Sequence, residues 1–154
     1  MPIYTMPRSD DPLFIVNVEG VVRRGGHYLL TVRSEHEPNA PGTLSLPGGK
    51  VEYSDVPEET LEHTLKREIL EETGVSVDSP VYLESKWFRA DDGEPVVDVV
   101  FLCHYAGGDA VARDPAETAE VLWLTAAEVA AHPKAPPWTR GSIDKAERVG
   151  RDRA

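Results

Sequence analysis

The stretch of sequence that decides the fold is Arg67 to Val75, which reads REILEETGV. Residues of a helix advance by about 100° each, so the glutamates Glu68, Glu71 and Glu72 share one face within about one turn. Like charges at these spacings repel, and negative charge at the C-terminal end of a helix opposes the macrodipole. Magnesium prefers carboxylate oxygens and would neutralise the cluster, whereas an ordinary solvated helix face is the alternative interpretation.

The pattern around this stretch predicts a helix over residues 57–73. Apolar residues recur at four-residue steps from Leu61 to Ile69, which is the spacing of one helical face. Pro57 suits the first turn of a helix, and Gly74 suits a left-handed stop after the last turn. The candidate N-caps are Ser54 and Asp55.

A segment with two glycines lies upstream of this helix, where residues 46–52 read LPGGKVE. Gly48 and Gly49 permit backbone conformations and close approaches that other residues resist, so another group is expected to lie against them. Lys50 is a candidate phosphate contact, although a lone cation beside a loop is more often simply solvated. We therefore predict substrate binding at these three residues.

The two segments together resemble the signature of the Nudix hydrolases. That pattern is a glycine, five residues, a glutamate, seven residues, and then Arg-Glu-U-x-Glu-Glu-x-Gly-U, in which U is aliphatic. Its second half is filled without a mismatch, by Arg67, Glu68, Ile69, Glu71, Glu72, Gly74 and Val75. The predicted strand, loop and helix also follow one another in the order of the family motif.

The first half of the motif departs from the family pattern. Counting five residues from Gly49 leads to Asp55 instead of a glutamate, and eleven residues then separate Asp55 from Arg67. Glu59 lies at the seven-residue spacing before Arg67, which places the four extra residues ahead of it. Because four residues are close to one helical turn, a longer helix N-terminus is expected to absorb them. Either Asp55 or Glu59 would then pair with Arg67.

The resemblance implies an α/β fold, namely an α/β/α sandwich with a mixed β-sheet and a loop-helix-loop catalytic motif. One domain would span residues 1–154, with its core at about residues 13–149. Glu68, Glu71 and Glu72 would bind Mg²⁺, with Mn²⁺ as a substitute and a carbonyl near Gly48 or Gly49 as a further ligand. Arg67 would orient the glutamates. The reaction would be hydrolysis of a diphosphate linkage in a nucleoside diphosphate derivative or a nucleoside triphosphate.

Members of this family also need a general base. The candidates are Glu68 or Glu72 in the helix and Glu117 in a later loop, six residues before Trp123. Some relatives carry the base at that loop position, but an ordinary exposed acid is at least as good an interpretation of Glu117. Glu120, nearer the next strand, is a weaker candidate.

The flanking sequence predicts further strands and helices around the motif. Runs rich in β-branched residues predict two hairpins, which are joined by residues 24–27 and 91–94. The capping box of Thr125 and Glu128 predicts a short helix up to residue 131, and a closing helix is expected over residues 142–148. The predicted strands are residues 13–22, 28–33, 44–46, 81–89, 96–105 and 121–124, after a loose N-terminal segment that ends near Pro12.

Composition limits the kinds of partner that this chain can have. The formal net charge of −11 comes from 27 acidic and 16 basic residues, so binding to a nucleic acid backbone is not expected. Cys103 is the sole cysteine, and its apolar neighbours predict a buried thiol. Neither a signal peptide nor a membrane-spanning run is evident, which indicates the cytoplasm.

Two alternatives to the general hydrolase interpretation stay open at this stage. A non-catalytic Nudix-fold module that senses a nucleotide or a partner is the first, and the intact glutamate triplet argues against it. An isomerase or decapping-like specialisation is the second. Nucleotide sugars, oxidised triphosphates, ADP-ribose and dinucleoside polyphosphates all remain candidate substrates. Many relatives pair as dimers, so a homodimer is compatible with the resemblance.

Overall fold

A computed structural model describes residue 10 and residues 13–152 of the chain. Except for residue 10, the predicted loose segment before Pro12 falls outside this part. The strands are β1 (Ile15–Arg24), β2 (His27–Arg33), β3 (Leu44–Ser45), β4 (Gly48–Lys50), β5 (Ser76–Arg89), β6 (Pro95–Gly107) and β7 (Thr118–Thr125). The helices are α1 (Thr60–Thr73), α2 (Ala126–Ala131) and α3 (Pro137–Asp152).

The seven strands form one mixed sheet whose two halves separate at one end. β1 is parallel to β6 and antiparallel to β4, but it meets β2 only at its last two residues, Arg23 and Arg24. β2 pairs with β3 and β7, and β5 forms the outer edge beside β6. Residues 44–50 therefore pass from one half of the sheet to the other, because β3 lies on β2 and β4 lies on β1.

Helices cover both faces of this sheet, which confirms the predicted α/β/α sandwich. The apolar side of α1, with Leu65 and Ile69, packs on one face against residues of β1, β2 and β6. α2 and α3 cover the other face, where Val129, Ile143 and Ala146 are buried against Val21 and the remaining core. The long strands β1, β2, β5, β6 and β7 thus bury apolar side chains on both of their faces.

Helix α1 begins later than the sequence predicted. Its first residue is Thr60, and the preceding Glu59 adopts a left-handed conformation, with φ of 49°, and caps the helix without a side-chain hydrogen bond. The predicted start at Pro57 and the caps at Ser54 and Asp55 were therefore wrong. The four extra residues are absorbed by the loop after β4 and do not lengthen the helix. Gly74 ends the helix at φ of 77°, as predicted.

Helix α3 is longer than the predicted closing helix over residues 142–148. It begins at Pro137. A proline suits the first turn of a helix because the amide that it lacks would have no intrahelical partner there. Its last residue in the described part of the chain is Asp152. Strand β5 also begins earlier than predicted, at Ser76, and irregular register near Ser79 interrupts it.

Other local predictions are confirmed by the structure. The two hairpins form at the predicted turns, between β1 and β2 and between β5 and β6. Thr125 and Glu128 make both bonds of the capping box. Cys103 is a buried free thiol, and burial raises its pKa to about 12. Among the helices described, none combines the length and apolar character needed to cross a membrane.

Candidate functional site

The glutamate triplet lies on the last two turns of α1, facing β4. Arg67 connects two of its members: its Nη1 donates to Glu68 Oε1 at 3.0 Å and to Glu71 Oε2 at 3.2 Å. The Glu71 side chain is 61% exposed, whereas Glu68 is largely covered. Burial is the main cause that raises the pKa of Glu68 above its ordinary value.

Arg67 finds its acidic partner in the loop before the helix. Its Nε and Nη2 donate to the two carboxylate oxygens of Asp55 at 3.0 and 3.1 Å, which is a bidentate ion pair. The amide of Glu52 donates to the same carboxylate at 2.7 Å and is the main cause that lowers the pKa of Asp55. Glu59 lies 3.9 Å from His63 instead. Of the two alternatives, the structure therefore selects Asp55.

Glu72 reaches furthest into the protein of the three glutamates. Its Oε2 accepts the amide of Gly48 at 3.2 Å, and its Oε1 accepts the hydroxyl of Thr118 at 3.1 Å. Burial raises the pKa of Glu72 to about 7, although both hydrogen bonds oppose that shift. A carboxylate in such a place is costly to ionise unless positive charge lies nearby.

The two glycines bring the backbone of β4 close to the helix. A Cβ added at Gly49 would collide with the carboxylate of Glu68, and one added at Gly48 would collide with the carbonyl of Val18. The close approach predicted for these glycines is thus present. Lys50 is exposed at the end of the same strand.

Glu117 lies at the border of the site without joining the triplet. It is an exposed turn residue directly before β7, and its carbonyl accepts the amide of Ser34 at 2.9 Å. Its neighbour Thr118 is the residue that contacts Glu72. Glu120 is also exposed, further along β7.

Sequence reasoning missed three polar residues near this end of the sheet. Thr118 is 3% exposed and binds Glu72, while Glu19 and Asp98 lie on the neighbouring strands β1 and β6. Burial, followed by the adjacent Asp98 carboxyl, raises the pKa of Glu19 well above its ordinary value. Glu19 and Asp98 carried a signal, since each interrupts a run of valines within a predicted strand. Thr118 carried none, because threonine is common at strand starts.

The donor set fits a hard divalent cation in its chemistry. Glu68 and Glu72 are carboxylates held near the backbone of β4, and burial leaves both with raised pKa values. Oxygen ligands of this kind suit Mg²⁺ or Mn²⁺. As the side chains are placed, no three acidic, histidine or cysteine groups of residues 13–150 converge as a ready-made metal cage. Glu68 and Glu71 would have to turn from Arg67 toward the cation.

Comparisons with known proteins agree with this geometry. A family model described as the NUDIX domain matches residues 14–146. The chain is 36% identical over 121 residues to a MutT-like protein of Streptomyces ambofaciens, which covers 79% of this chain and 70% of that protein. It is also 36% identical over 111 residues to an ADP-ribose pyrophosphatase of Methanocaldococcus jannaschii, covering 71% of this chain and 62% of the relative.

Solved structures show the same fold. A crystal structure of a MutT protein from Methanosarcina mazei Go1 superposes with a TM-score of 0.74 and 27% sequence identity. The superposition covers 93% of this chain and 99% of the other. The fold of this chain is thus one that other proteins share.

Proposed function

This chain belongs to the Nudix hydrolase family, and from that premise we propose that it cleaves the diphosphate linkage of a nucleotide derivative with the help of Mg²⁺. The family relationship makes it an enzyme of the pyrophosphohydrolase type. The observation that carries the proposal is the placement of Glu72 between the Gly48 amide and the Thr118 hydroxyl, with a pKa raised to about 7. A buried acid with a pKa so far from its ordinary value is typical of functional sites.

We assign a role to each residue of the motif. Glu68, Glu71 and Glu72 would hold the cation, and a bound cation supplies the positive charge that phosphate oxygens need in this acidic site. Arg67, fixed by Asp55, holds Glu68 and Glu71 on one side of the helix. The lack of side chains at Gly48 and Gly49 lets β4 lie directly against Val18 and Glu68. We place the diphosphate beside this strand, where Lys50 is exposed.

Glu68, Glu72 and Glu117 are the candidates for the general base, and Glu68 is ion-paired with Arg67 in this structure. In the metal-free protein, Glu72 has a pKa of about 7, which is matched to accepting a proton from water near neutral pH. Glu117 is exposed and lies one residue from Thr118, so a substrate bound at the triplet would approach it. The activity of Glu117→Gln tests Glu117. If the variant loses activity, we assign the proton transfer to Glu117. If it retains activity, we assign it to Glu72.

Relatives guide the choice of substrates to test. The name of the Methanocaldococcus jannaschii relative points to ADP-ribose. Nucleoside triphosphates and nucleotide sugars are included because the resemblance to the family leaves them open. The remaining expectations from the sequence stay predictions. They are a cytoplasmic location, the pairing of two copies, and the lack of binding to a nucleic acid backbone.

The experiment is hydrolysis of a panel of nucleoside triphosphates, nucleotide sugars and ADP-ribose, with Mg²⁺ and with a chelator. We expect cleavage of at least one substrate only with the metal, and a loss of about 100-fold or more in Glu72→Gln. Glu62→Gln is the matched control, because Glu62 lies in the first turn of the same helix. Its activity should equal that of the wild type.

Other results would point to the nucleotide-sensing alternative. If no substrate is cleaved while a nucleotide still binds, the protein acts as a binding module and the triplet is not catalytic. If Glu62→Gln and Glu72→Gln lose activity equally, the loss reflects damage to α1 and not to the site.

A further inference from the structure

A loop bridges the open end of the gap between the two halves of the sheet. Strands β1 and β2 pair only next to their hairpin turn, so they are no longer paired where β2 ends at Arg33. Residues 34–43, which connect β2 to β3, are called the bridging loop here. The Ala40 amide of this loop donates to Asp91 Oδ2 at 2.9 Å, and Asp91 lies in the turn between β5 and β6, in the other half of the sheet.

The backbone of the bridging loop is strained at the residue that contacts Asp91. Ala40 has a φ of 45°, which an alanine seldom adopts because its Cβ crowds the backbone there. A residue in such a conformation persists only where its surroundings hold it. The Thr43 hydroxyl donates to the Ala40 carbonyl at 2.8 Å, and Asp91 accepts the Ala40 amide. Asp91 is therefore a point at which the other half of the sheet fixes the shape of the loop.

The bridging loop in turn holds the side chain of Arg33. Arg33 Nε donates to the carbonyl of Asn39 at 2.9 Å, and its Nη2 donates to Glu37 Oε2 at 3.2 Å. The Asn39 carbonyl and the Ala40 amide belong to one peptide group, the 39–40 peptide. Because a trans peptide group is planar and its N–H and C=O point in opposite directions, Asp91 and Arg33 hold the two edges of one rigid unit. A displacement of this peptide would therefore displace the guanidinium.

Arg33 lies beside the candidate site. It pairs with Thr118, whose hydroxyl binds Glu72. Side chains alternate along β2, which puts Arg33 on the same face as Leu29, the face that packs against α1. Burial raises the pKa of Glu72 to about 7, and the charge of Arg33 is among the causes that oppose this rise. Within residues 13–150, Nη1 of Arg33 has no hydrogen-bond partner, so it is available to a ligand.

We propose that Asp91 is a positioning residue for substrate binding, which acts through the 39–40 peptide to hold the guanidinium of Arg33 toward a phosphate group of the bound diphosphate. The guanidinium of an arginine matches phosphate oxygens in shape and charge. An arginine that is already held in place loses less side-chain freedom when the phosphate binds, so its orientation increases affinity. This inference rests on the proposed function, since it concerns the phosphates of the same substrate.

The test measures binding and so does not depend on hydrolysis. Methylenediphosphonate, a diphosphate mimic that has no nucleoside and resists cleavage, is titrated by calorimetry in magnesium buffer. We expect Asp91→Ala to raise its Kd by about 3- to 10-fold, because the 39–40 peptide loses one hydrogen bond and Arg33 is held less firmly. Asp91→Asn should restore the wild-type Kd, since its amide oxygen can still accept the Ala40 amide. Arg33→Gln should raise the Kd by about 10-fold or more.

Asp92→Ala is the matched control, because Asp92 lies in the same turn but its Oδ1 accepts the Glu94 amide. It should bind methylenediphosphonate as the wild type does. If Asp91 acts through Arg33, Asp91→Ala should change the Kd of Arg33→Gln by less than about two-fold. If Arg33→Gln does not fold, the three variants of Asp91 and Asp92 decide. The proposal is overturned if the wild type does not bind the probe, if Asp91→Ala binds it as tightly as the wild type, if Asp91→Asn does not restore binding, if Asp92→Ala weakens binding equally, or if the two effects multiply in the double variant.

Hydrolysis of the substrate panel separates this inference from the proposed function. Where a substrate is cleaved, we expect Asp91→Ala to raise KM by the same factor as the Kd of the probe and to leave kcat within about two-fold. Metal-dependent cleavage with equal KM in the wild type and Asp91→Ala would contradict the positioning role and leave the hydrolase intact. Binding of methylenediphosphonate that depends on Asp91, without cleavage of any substrate, would contradict the hydrolase and leave the positioning role intact.

Discussion

Glu72 makes the stability of the protein depend on pH when a chelator is present. Its pKa is raised from 4.5 to about 7 in the folded state, so the folded state binds the proton more tightly than the unfolded chain. Stability from this group is therefore full below pH of about 4.5 and is lost as the pH rises toward 7. The loss is at most about 3 kcal/mol.

Urea denaturation in chelator at pH 5 and pH 7.5 measures this dependence. The free energy of unfolding of the wild type should fall more between the two values than that of Glu72→Gln, because the variant lacks the titrating group. Acids that do not interact with Glu72 contribute equally to both proteins. An equal decrease in the two proteins would show that the pKa of Glu72 is not raised in the folded state.

Thr118 gives Glu72 a hydroxyl donor from another part of the chain. Thr118→Ala removes the 3.1 Å bond to Oε1, so the carboxylate is held by the Gly48 amide alone. We expect Thr118→Ala to need more Mg²⁺ for half-maximal activity, by about 5- to 10-fold. Thr118→Ser should restore the wild-type value, since it keeps the hydroxyl. If alanine and serine behave alike, the hydrogen bond has no role in metal binding.

At the scale of single elements, the contact between β4 and α1 is the critical one. Gly49→Ala places a methyl group where the Glu68 carboxylate lies. That carboxylate is the end of a flexible side chain, so it can move at little cost to the fold but leaves its place in the site. We expect hydrolysis to fall by about 10-fold or more while the melting temperature changes little.

Gly26→Ala is the control for this prediction. A Cβ at Gly26 meets nothing within 4 Å, so that substitution should leave activity and stability unchanged. A Gly49→Ala variant with full activity would mean that Glu68 does not need its position against β4.

Local sequence signals predicted a helix or its end correctly where a single pattern of nearby residues determines it. The four-residue apolar steps and Gly74 identified α1 and its end, and the capping box identified α2. The start of α1 was missed because Glu59 takes a left-handed conformation, which a glutamate seldom adopts and the sequence does not announce. The choice of Asp55 depends on that loop geometry, so spacing alone left two candidates.

Contacts between residues far apart in the sequence could not be predicted from local sequence signals. The bond between Thr118 and Glu72 joins residues 46 apart, and the pairing of β1 with β6 brings Asn17 beside Asp98, 81 residues away. Such pairs follow from strand order and register, which periodicity does not give. The motif predicted which residues cluster on α1, and the fold added the partners that surround them.

For the whole molecule, α3 connects the two halves of the divided sheet. On one side, Thr139 donates to the carbonyl of Leu44 at 2.9 Å and Tyr28 donates to Glu147 at 2.6 Å. On the other side, Ser142 donates to Glu84 of β5 at 2.6 Å. Between them Ile143, 1% exposed, packs in the core beneath the helix. Both halves therefore depend on one docked helix, which predicts that they unfold together.

Ile143→Ala tests this dependence. Removing a fully buried isoleucine should lower the free energy of unfolding by about 2–4 kcal/mol. Trp123 lies on β7 in one half and Trp87 on β5 in the other. With Trp138 of α3 replaced by Phe in both proteins, the fluorescence of Trp87→Phe and of Trp123→Phe reports on opposite halves. In a single cooperative unit, both signals and the circular dichroism shift by the same amount. A shift in only one half would show that the two halves unfold separately and that the chain does not form one domain.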